Sequence, residues 1–365
     1  MDFFHVHVSP RSRTLAGEVL ASGWLSEGKM TRRFEQDLAA RLGILHPVAV
    51  NSGTAALHLG LALAGVGPGD EVILPPQTFV GTGLSVLMHG ARPVFADVDP
   101  LTGNLSPAAV ERAITQRTRA VMPVHWGGYP CDLDEINALA KEHGLTVVED
   151  AAHALGATYR GRPIGAVSRF TAFSFQAIKH VTTGDGGALS CSSPADARAA
   201  VARRWFGIDR DNSRPSILGE RVFDIETLGY KSHMNDLAAA VGLGNLEDFP
   251  DRLARRRATA RLYRDALANV AGLRLPPLAA DRAHAYWLFT VLVERREDFI
   301  RKLQSRDIPA SVVHLRIDRY KVFGGLRRDL EGQTSYDERQ VSIPVHEGLT
   351  DDDVQSIIAA IRSGW

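Results

Sequence analysis

Lys179 stands five residues after Ser174 and shortly before Gly184, Gly186 and Gly187, in the run Phe173-Ser-Phe-Gln-Ala-Ile-Lys-His-Val-Thr-Thr-Gly-Asp-Gly-Gly187. The apolar stretch ahead of it predicts a partly buried amine. Desolvation lowers such a group's pKa and frees the nitrogen to attack a carbonyl. The glycines let the backbone turn sharply and approach a ligand. Upstream, the apolar run Leu145-Thr-Val-Val-Glu-Asp150 ends in a carboxylate followed by Ala151 and Ala152. A lysine that forms a Schiff base and an aspartate that keeps a pyridine nitrogen protonated are the pair that pyridoxal 5'-phosphate (PLP) requires. Each also has a plainer reading: a solvated surface lysine, and an aspartate that caps the next helix.

A third group is Asn51-Ser-Gly-Thr-Ala-Ala-Leu57. At a strand-to-helix junction, Gly53 and Thr54 offer backbone N–H groups and a hydroxyl to a phosphate, helped by the helix dipole. Ser174 can add a second hydroxyl. Phe79, in Pro75-Pro-Gln-Thr-Phe79, can stack on a flat ring, with core packing as the alternative. His153 can cover the ring's other side or orient substrate. The cluster Arg203-Arg-Trp-Phe-Gly-Ile-Asp-Arg210 sets arginine beside aromatics, which suits a phosphorylated planar partner. Arg204 and Arg210 are therefore candidate substrate contacts, with domain packing as the alternative.

Other signals carry less. Gly65-Val-Gly-Pro-Gly69 mimics a dinucleotide fingerprint but follows a helix and precedes a strand, the reverse of the required order. His5 and His7 have strand spacing without a third ligand, so no metal site is expected. Arg255, Arg256 and Arg257 read as a solvated helix face.

These groups need a scaffold that brings them together. From about residue 48 short β-rich runs alternate with helical patterns. Val48–Val50, Glu71–Leu74, Pro93–Ala96, Ala120–Val124 and Thr146–Glu149 read as strands, with helices over Ser52–Ala64 and near 106–116 and 132–142. That alternation predicts an α/β fold whose central sheet is mostly parallel and covered on both faces. Thr171–Phe175 and Ala188–Cys191 flank the lysine turn as further strands. A helix over Asn235–Leu246 and an arginine-rich one near 251–269 lead into a smaller α+β segment, where Trp287–Val293 is the clearest strand. We expect a large PLP-binding domain over residues 1–250, N-terminal arm included, and a small C-terminal domain over 251–365.

The chain has 365 residues, too many for one small core. Lys plus Arg equals Asp plus Glu at 42 each, so no net field attracts nucleic acid or an anionic membrane. Cys131 and Cys191 make neither a disulfide framework nor a metal spacing. The N-terminus lacks a basic secretory pattern, and no run approaches a membrane span. The expected setting is cytoplasmic.

Taken in order, these segments resemble the DegT/DnrJ/StrS aminotransferases, which aminate keto-sugars, most often nucleotide-linked. The likeness runs through Phe34-Glu35, Asn51–His58, Pro68–Ile73, Pro75–Phe79, Pro93–Asp97, Glu149–His153, Ser174–Gly187, Gly229–Asp236 and Ser342–His346. It implies PLP-dependent transferase fold type I and a homodimer with shared active sites. It implies that Lys179 bonds the cofactor, Asp150 holds the pyridine nitrogen, and Gly53, Thr54 and Ser174 bind phosphate. Phe79 and His153 would flank the ring. The Gly229–Asp236 segment would reach the partner's cofactor phosphate. His233 stands where the family usually has asparagine, and Asn235 is a substitute donor. Val313–Asp318 resembles the substrate-facing loop, making His314 and Arg316 candidate substrate contacts. The family's dehydratases carry histidine at the Schiff-base position, so Lys179 points away from them.

The activity this implies is transfer of an amino group, from glutamate by analogy, to a nucleotide-linked 3- or 4-keto-6-deoxy sugar. A cyclitol or other non-nucleotide ketone as acceptor is one alternative. A PLP-binding regulatory protein without turnover is another.

Overall fold

The computed structural model describes residues 1–210 and 213–365. Seven strands form the central sheet: β1 (Val48–Val50), β2 (Glu71–Leu74), β3 (Arg92–Phe95), β4 (Thr118–Val121), β5 (Thr146–Asp150), β6 (Phe170–Ser174) and β7 (Gly187–Cys191). Their spatial order is β1-β7-β6-β5-β4-β2-β3, and β7 alone runs against its neighbours. Burial on both faces explains why these strands read as apolar runs without alternation. One layer packs Leu57, Leu61, Val72 and Val148 against one face; another packs Phe34, Ile73, Val147 and Leu243 against the other.

The parallel strands deliver their carboxyl ends to one edge, where an open α/β sheet binds its ligands. β5 ends there at Asp150 and β6 at Ser174, while β1 passes through Ser52 into the helix Gly53–Leu63. Ser52 caps that helix, its hydroxyl accepting the Ala55 N–H at 3.0 Å. The helix start lies so close to β7 that a Cβ at Gly187 would sit 2.5 Å from the Ser52 carbonyl oxygen, so glycine is required there.

A smaller antiparallel sheet follows, built from β8 (Leu273–Arg274), β9 (Phe289–Val293) and β10 (Gln340–Ile343). Its core includes Tyr263, Phe289, Val291, Phe299 and Ile357. β9 begins two residues later than the pattern Trp287–Val293 suggests. Tyr286 takes a positive φ of 51°, a conformation costly for an aromatic residue, and this turns Trp287 out of the strand. No helix among the described residues is long and apolar enough to cross a membrane.

Candidate active site

A cavity of about 340 Å³ opens at the carboxyl edge of the sheet, and Lys179, Asp150, Gly53, Thr54, Ser174, Phe79, His153 and His314 all line it. They come from β5 and the turn after it, β6, the lysine turn, two helix starts and the loop after the helix Arg296–Gln304. The topology therefore gathers residues the sequence scatters.

Asp150 is held from several sides. Its backbone bonds to Pro123 and His125 beyond β4. Behind it, Glu149 accepts His125 Nε2–H at 2.8 Å and the Ser168 N–H at 3.0 Å, while His125 Nδ1 accepts the Cys131 N–H. One Asp150 oxygen accepts the Thr82 hydroxyl at 2.7 Å and the other the Ala152 N–H at 3.1 Å. Burial raises its carboxyl above the usual range, against the pull of Thr82, the Ala152 amide and Lys179. The chain beyond Asp150 forms turns, so the helix-cap reading fails.

The Lys179 amine is buried, and this lowers its pKa to about 7, against the opposing field of Asp150. At neutral pH a substantial fraction is the free base. The turn that carries it is tied to the fold: Phe175 and Thr183 pair at 2.9 Å, and Asn245 donates to the Thr182 carbonyl at 2.9 Å. His180 points away, pairing with the Ala285 carbonyl at 2.9 Å.

Gly53 and Ser174 make a tight cradle. A Cβ at Gly53 would lie 2.8 Å from Ser174 Cβ. The amides of Gly53 and Thr54 belong to a helix's first turn, whose N–H groups lack intrahelical acceptors. Phe79 stands half-exposed at the start of the helix Val80–Leu87, 5.2 Å from the His314 ring. His153 stacks on Trp287 at 3.8 Å, and its buried Nδ1 has no hydrogen-bond partner within the described residues. Burial holds His153 well below the usual histidine range and His314 at about 4, so both are neutral.

Three expected substrate contacts lie elsewhere. Arg204 is buried in an ion-pair knot, at 2.8 Å from Glu27 and 2.5 Å from Glu35, and donates to the Ala49 carbonyl. Arg316 makes a buried fork with Asp318 at 2.8 and 2.7 Å. Both guanidinium groups pair with the chain's own carboxylates, outside the cavity lining. Arg210 packs 4.0 Å over Trp205 on the surface, away from the cavity. His233 and Asn235 also lie outside the cavity. Asn235 caps the helix Asp236–Glu247, and His233 Nδ1 is buried without a partner in the described residues. Arg256, expected on a solvated face, is buried and paired with Glu347 at 2.7 Å.

Thr82, Gln77 and Trp287 carry weight that motif reading missed. Gln77 accepts from Gln333 at 2.9 Å, and the neighbouring Pro76 carbonyl accepts the Ile317 N–H, which anchors the His314 loop. Trp287 lines the cavity beside Lys179.

The family model for the DegT/DnrJ/EryC1/StrS aminotransferase family matches residues 9–362. The chain belongs to this family. It is an aminotransferase of PLP-dependent fold type I, as its segments and sheet suggested. It is 40% identical to the spore coat polysaccharide biosynthesis protein SpsC of Bacillus subtilis (strain 168), over 98% of this chain and 97% of that protein. It is 36% identical to the GDP-perosamine synthase of Caulobacter vibrioides, over 94% and 92% of the two chains. The sugar aminotransferase CalS13 from Micromonospora echinospora superposes with a TM-score of 0.95 at 37% identity, covering 100% of both chains. The family is one of aminotransferases, and its member CalS13 is a sugar aminotransferase.

Proposed function

We propose that the chain moves an amino group from an amino acid, glutamate in this reading, to a nucleotide-linked keto-sugar, with PLP seated in the Lys179 cavity. The observation that carries this is the convergence of one buried lysine, one buried aspartate and one helix start on a single cavity. The residues fit the cofactor. Gly53, Thr54 and Ser174 would hold its phosphate, Asp150 its pyridine nitrogen and Phe79 a ring face, while the unpartnered Nδ1 of His153 is a polar atom ready for a ring substituent.

When bound, PLP supplies an electron sink that acidifies the carbon bearing the transferred nitrogen. The chain's part is to keep that sink charged and to move protons. Asp150, steadied by Thr82, holds the counter-charge in a dry site. Lys179 Nζ takes the proton from the donor's carbon and supplies the one gained by the acceptor's carbon, and a pKa near neutrality suits both directions. In this proposal the acceptor enters past His314 and the half-exposed Phe79, which both line the cavity.

The identity with GDP-perosamine synthase supports a nucleotide-linked acceptor, and a 3- or 4-keto-6-deoxy sugar is the form we favour. One observation favours a second reading: among the described residues that line the cavity there is no arginine. A cyclitol or other ketone without phosphates needs none. A nucleoside diphosphate would draw on a second subunit, and a homodimer with shared sites belongs to this proposal. The exposed Ile217, Leu218 and Leu228, which precede the Gly229–Asp236 segment, support it. So does the separate core of the C-terminal segment for a division at 250/251. The buried, unpaired Cys131 and Cys191 suit a reducing cytoplasm.

The test is a two-stage turnover. PLP-loaded protein is mixed with glutamate until its visible absorbance shifts, then offered a panel of keto-sugars with and without nucleoside diphosphate. Return of the original absorbance with nucleotide-linked sugars alone, inhibited by free nucleoside diphosphate, is expected. Return with free cyclitol ketones and no inhibition selects the second reading.

A further inference from the structure

The indole of Trp287 sits where no cofactor-contact role has been placed. Lys179 Nζ lies 3.7 Å from the centre of its ring. The indole N–H donates to the Ile178 carbonyl, the residue just before Lys179, at 3.0 Å. The ring is therefore bonded to the backbone of the very turn whose side chain it receives. His153 stacks on it at 3.8 Å and 12°, and Phe4 of the N-terminal arm at 5.2 Å and 23°. Trp287 is itself 1% exposed, and the positive φ of Tyr286 is what turns it out of the strand path and into the site. Strain of that kind persists where surrounding structure over-determines it.

We infer that Trp287 is the positioning residue for Lys179: its ring face is the resting place of the lysine amine whenever that amine is not bonded to the cofactor. This rests on the reading of Lys179 as the cofactor-bonding base. In that reading the amine is detached for half of each cycle and must stay within reach while it carries a proton. An aromatic face attracts the ammonium form electrostatically and attracts the neutral amine much less. Trp287 thus holds the amine best at the moment it is charged, and releases it when the proton leaves. It works against burial, which disfavours the charge, and beside Asp150, which favours it.

The other titratable groups near Lys179 are Asp185, His153 and His314, which line the same cavity, and His180, which turns away to the Ala285 carbonyl. Burial lowers all three histidines, His314 to about 4, so none of them competes for the titration near neutrality.

The experiment uses the full chain freed of PLP and grown with tryptophan or with ring-fluorinated tryptophans, which keep the ring's shape and N–H while weakening its face. The pH dependence of Lys179 acetylation, followed by mass spectrometry, gives the amine's apparent pKa. The expected result is a stepwise fall with fluorine number, of roughly one pH unit in all, and no such dependence in a Trp287→Phe background. Flat values across the fluorinated set would overturn the proposal. So would equal dependence with and without Trp287. Borohydride fixation of PLP on Lys179 in Trp287→Phe is scored separately: retained fixation, together with flat values across the fluorinated set that keeps Trp287, sinks the positioning role while leaving the cofactor assignment standing.

Discussion

Thr82 donates its hydroxyl to Asp150 at 2.7 Å and is itself bonded to Thr78 at 2.6 Å, so a relay of Thr78 from the loop after β2 and Thr82 from the helix Val80–Leu87 steadies the carboxylate at the end of β5. A buried carboxylate stripped of one donor loses stabilisation of its charged form. Thr82→Val should therefore raise the Asp150 pKa further and cut kcat about tenfold, within the 1–3 kcal/mol range for an unsatisfied buried group. Asp150→Asn should fold normally and lose far more. An unchanged rate in Asp150→Asn would reduce that residue to a structural one.

Gly53→Ala tests the cradle. Its methyl would come within 2.8 Å of Ser174 Cβ, so the helix start or the serine must shift. We expect PLP affinity to fall roughly tenfold, about 1.4 kcal/mol, by equilibrium titration. Ser174→Ala should lose less, because it removes one hydroxyl and moves no backbone.

Arg204→Ala separates support from substrate contact. The change removes the buried guanidinium from Glu27 and Glu35, leaving Glu27 with Arg210 at 3.5 Å and Glu35 with the Ala49 N–H, and should cost roughly 3 kcal/mol in denaturant unfolding. The surviving folded fraction should keep its KM for the acceptor. Full stability with a raised KM would restore the arginine to substrate binding.

Lys179 also predicts a pH dependence of stability. Its folded pKa of about 7 lies below the ordinary 10.5. Between these values the unfolded chain binds a proton that the folded chain does not, so stability of the cofactor-free protein rises with pH across that window. Below about pH 7 the folded state bears the full cost of a buried ammonium. Lys179→Met should stabilise the cofactor-free protein by a few kcal/mol at about pH 6.5 and by much less at about pH 10, read from thermal melts.

Much of this was legible in the sequence, for local reasons. β1, β2 and β5 showed as buried apolar runs, and Ser52 showed as a helix start. Asp150 and Lys179 stood out as a pair, because a carboxylate ending one strand and an amine in the glycine-rich turn after another together suit PLP. The misses share one cause. Arg204 answers to Glu27 and Glu35, and Arg316 to Asp318 and the Arg327 carbonyl, partners that neither a reading of arginines beside aromatics nor a loop resemblance weighs. Trp287 was hidden in an apolar strand pattern that its backbone leaves at Tyr286. Thr82 sat inside a helix with nothing in its neighbours to mark it.

The most direct measurement is to load the protein with PLP, reduce it with borohydride and map the modified peptide by mass spectrometry. The cofactor should be found on Lys179, and Lys179→Ala should show no visible absorbance, no fixed cofactor and no turnover. Fixation on another lysine, or sustained amino transfer by Lys179→Ala, would contradict the assignment.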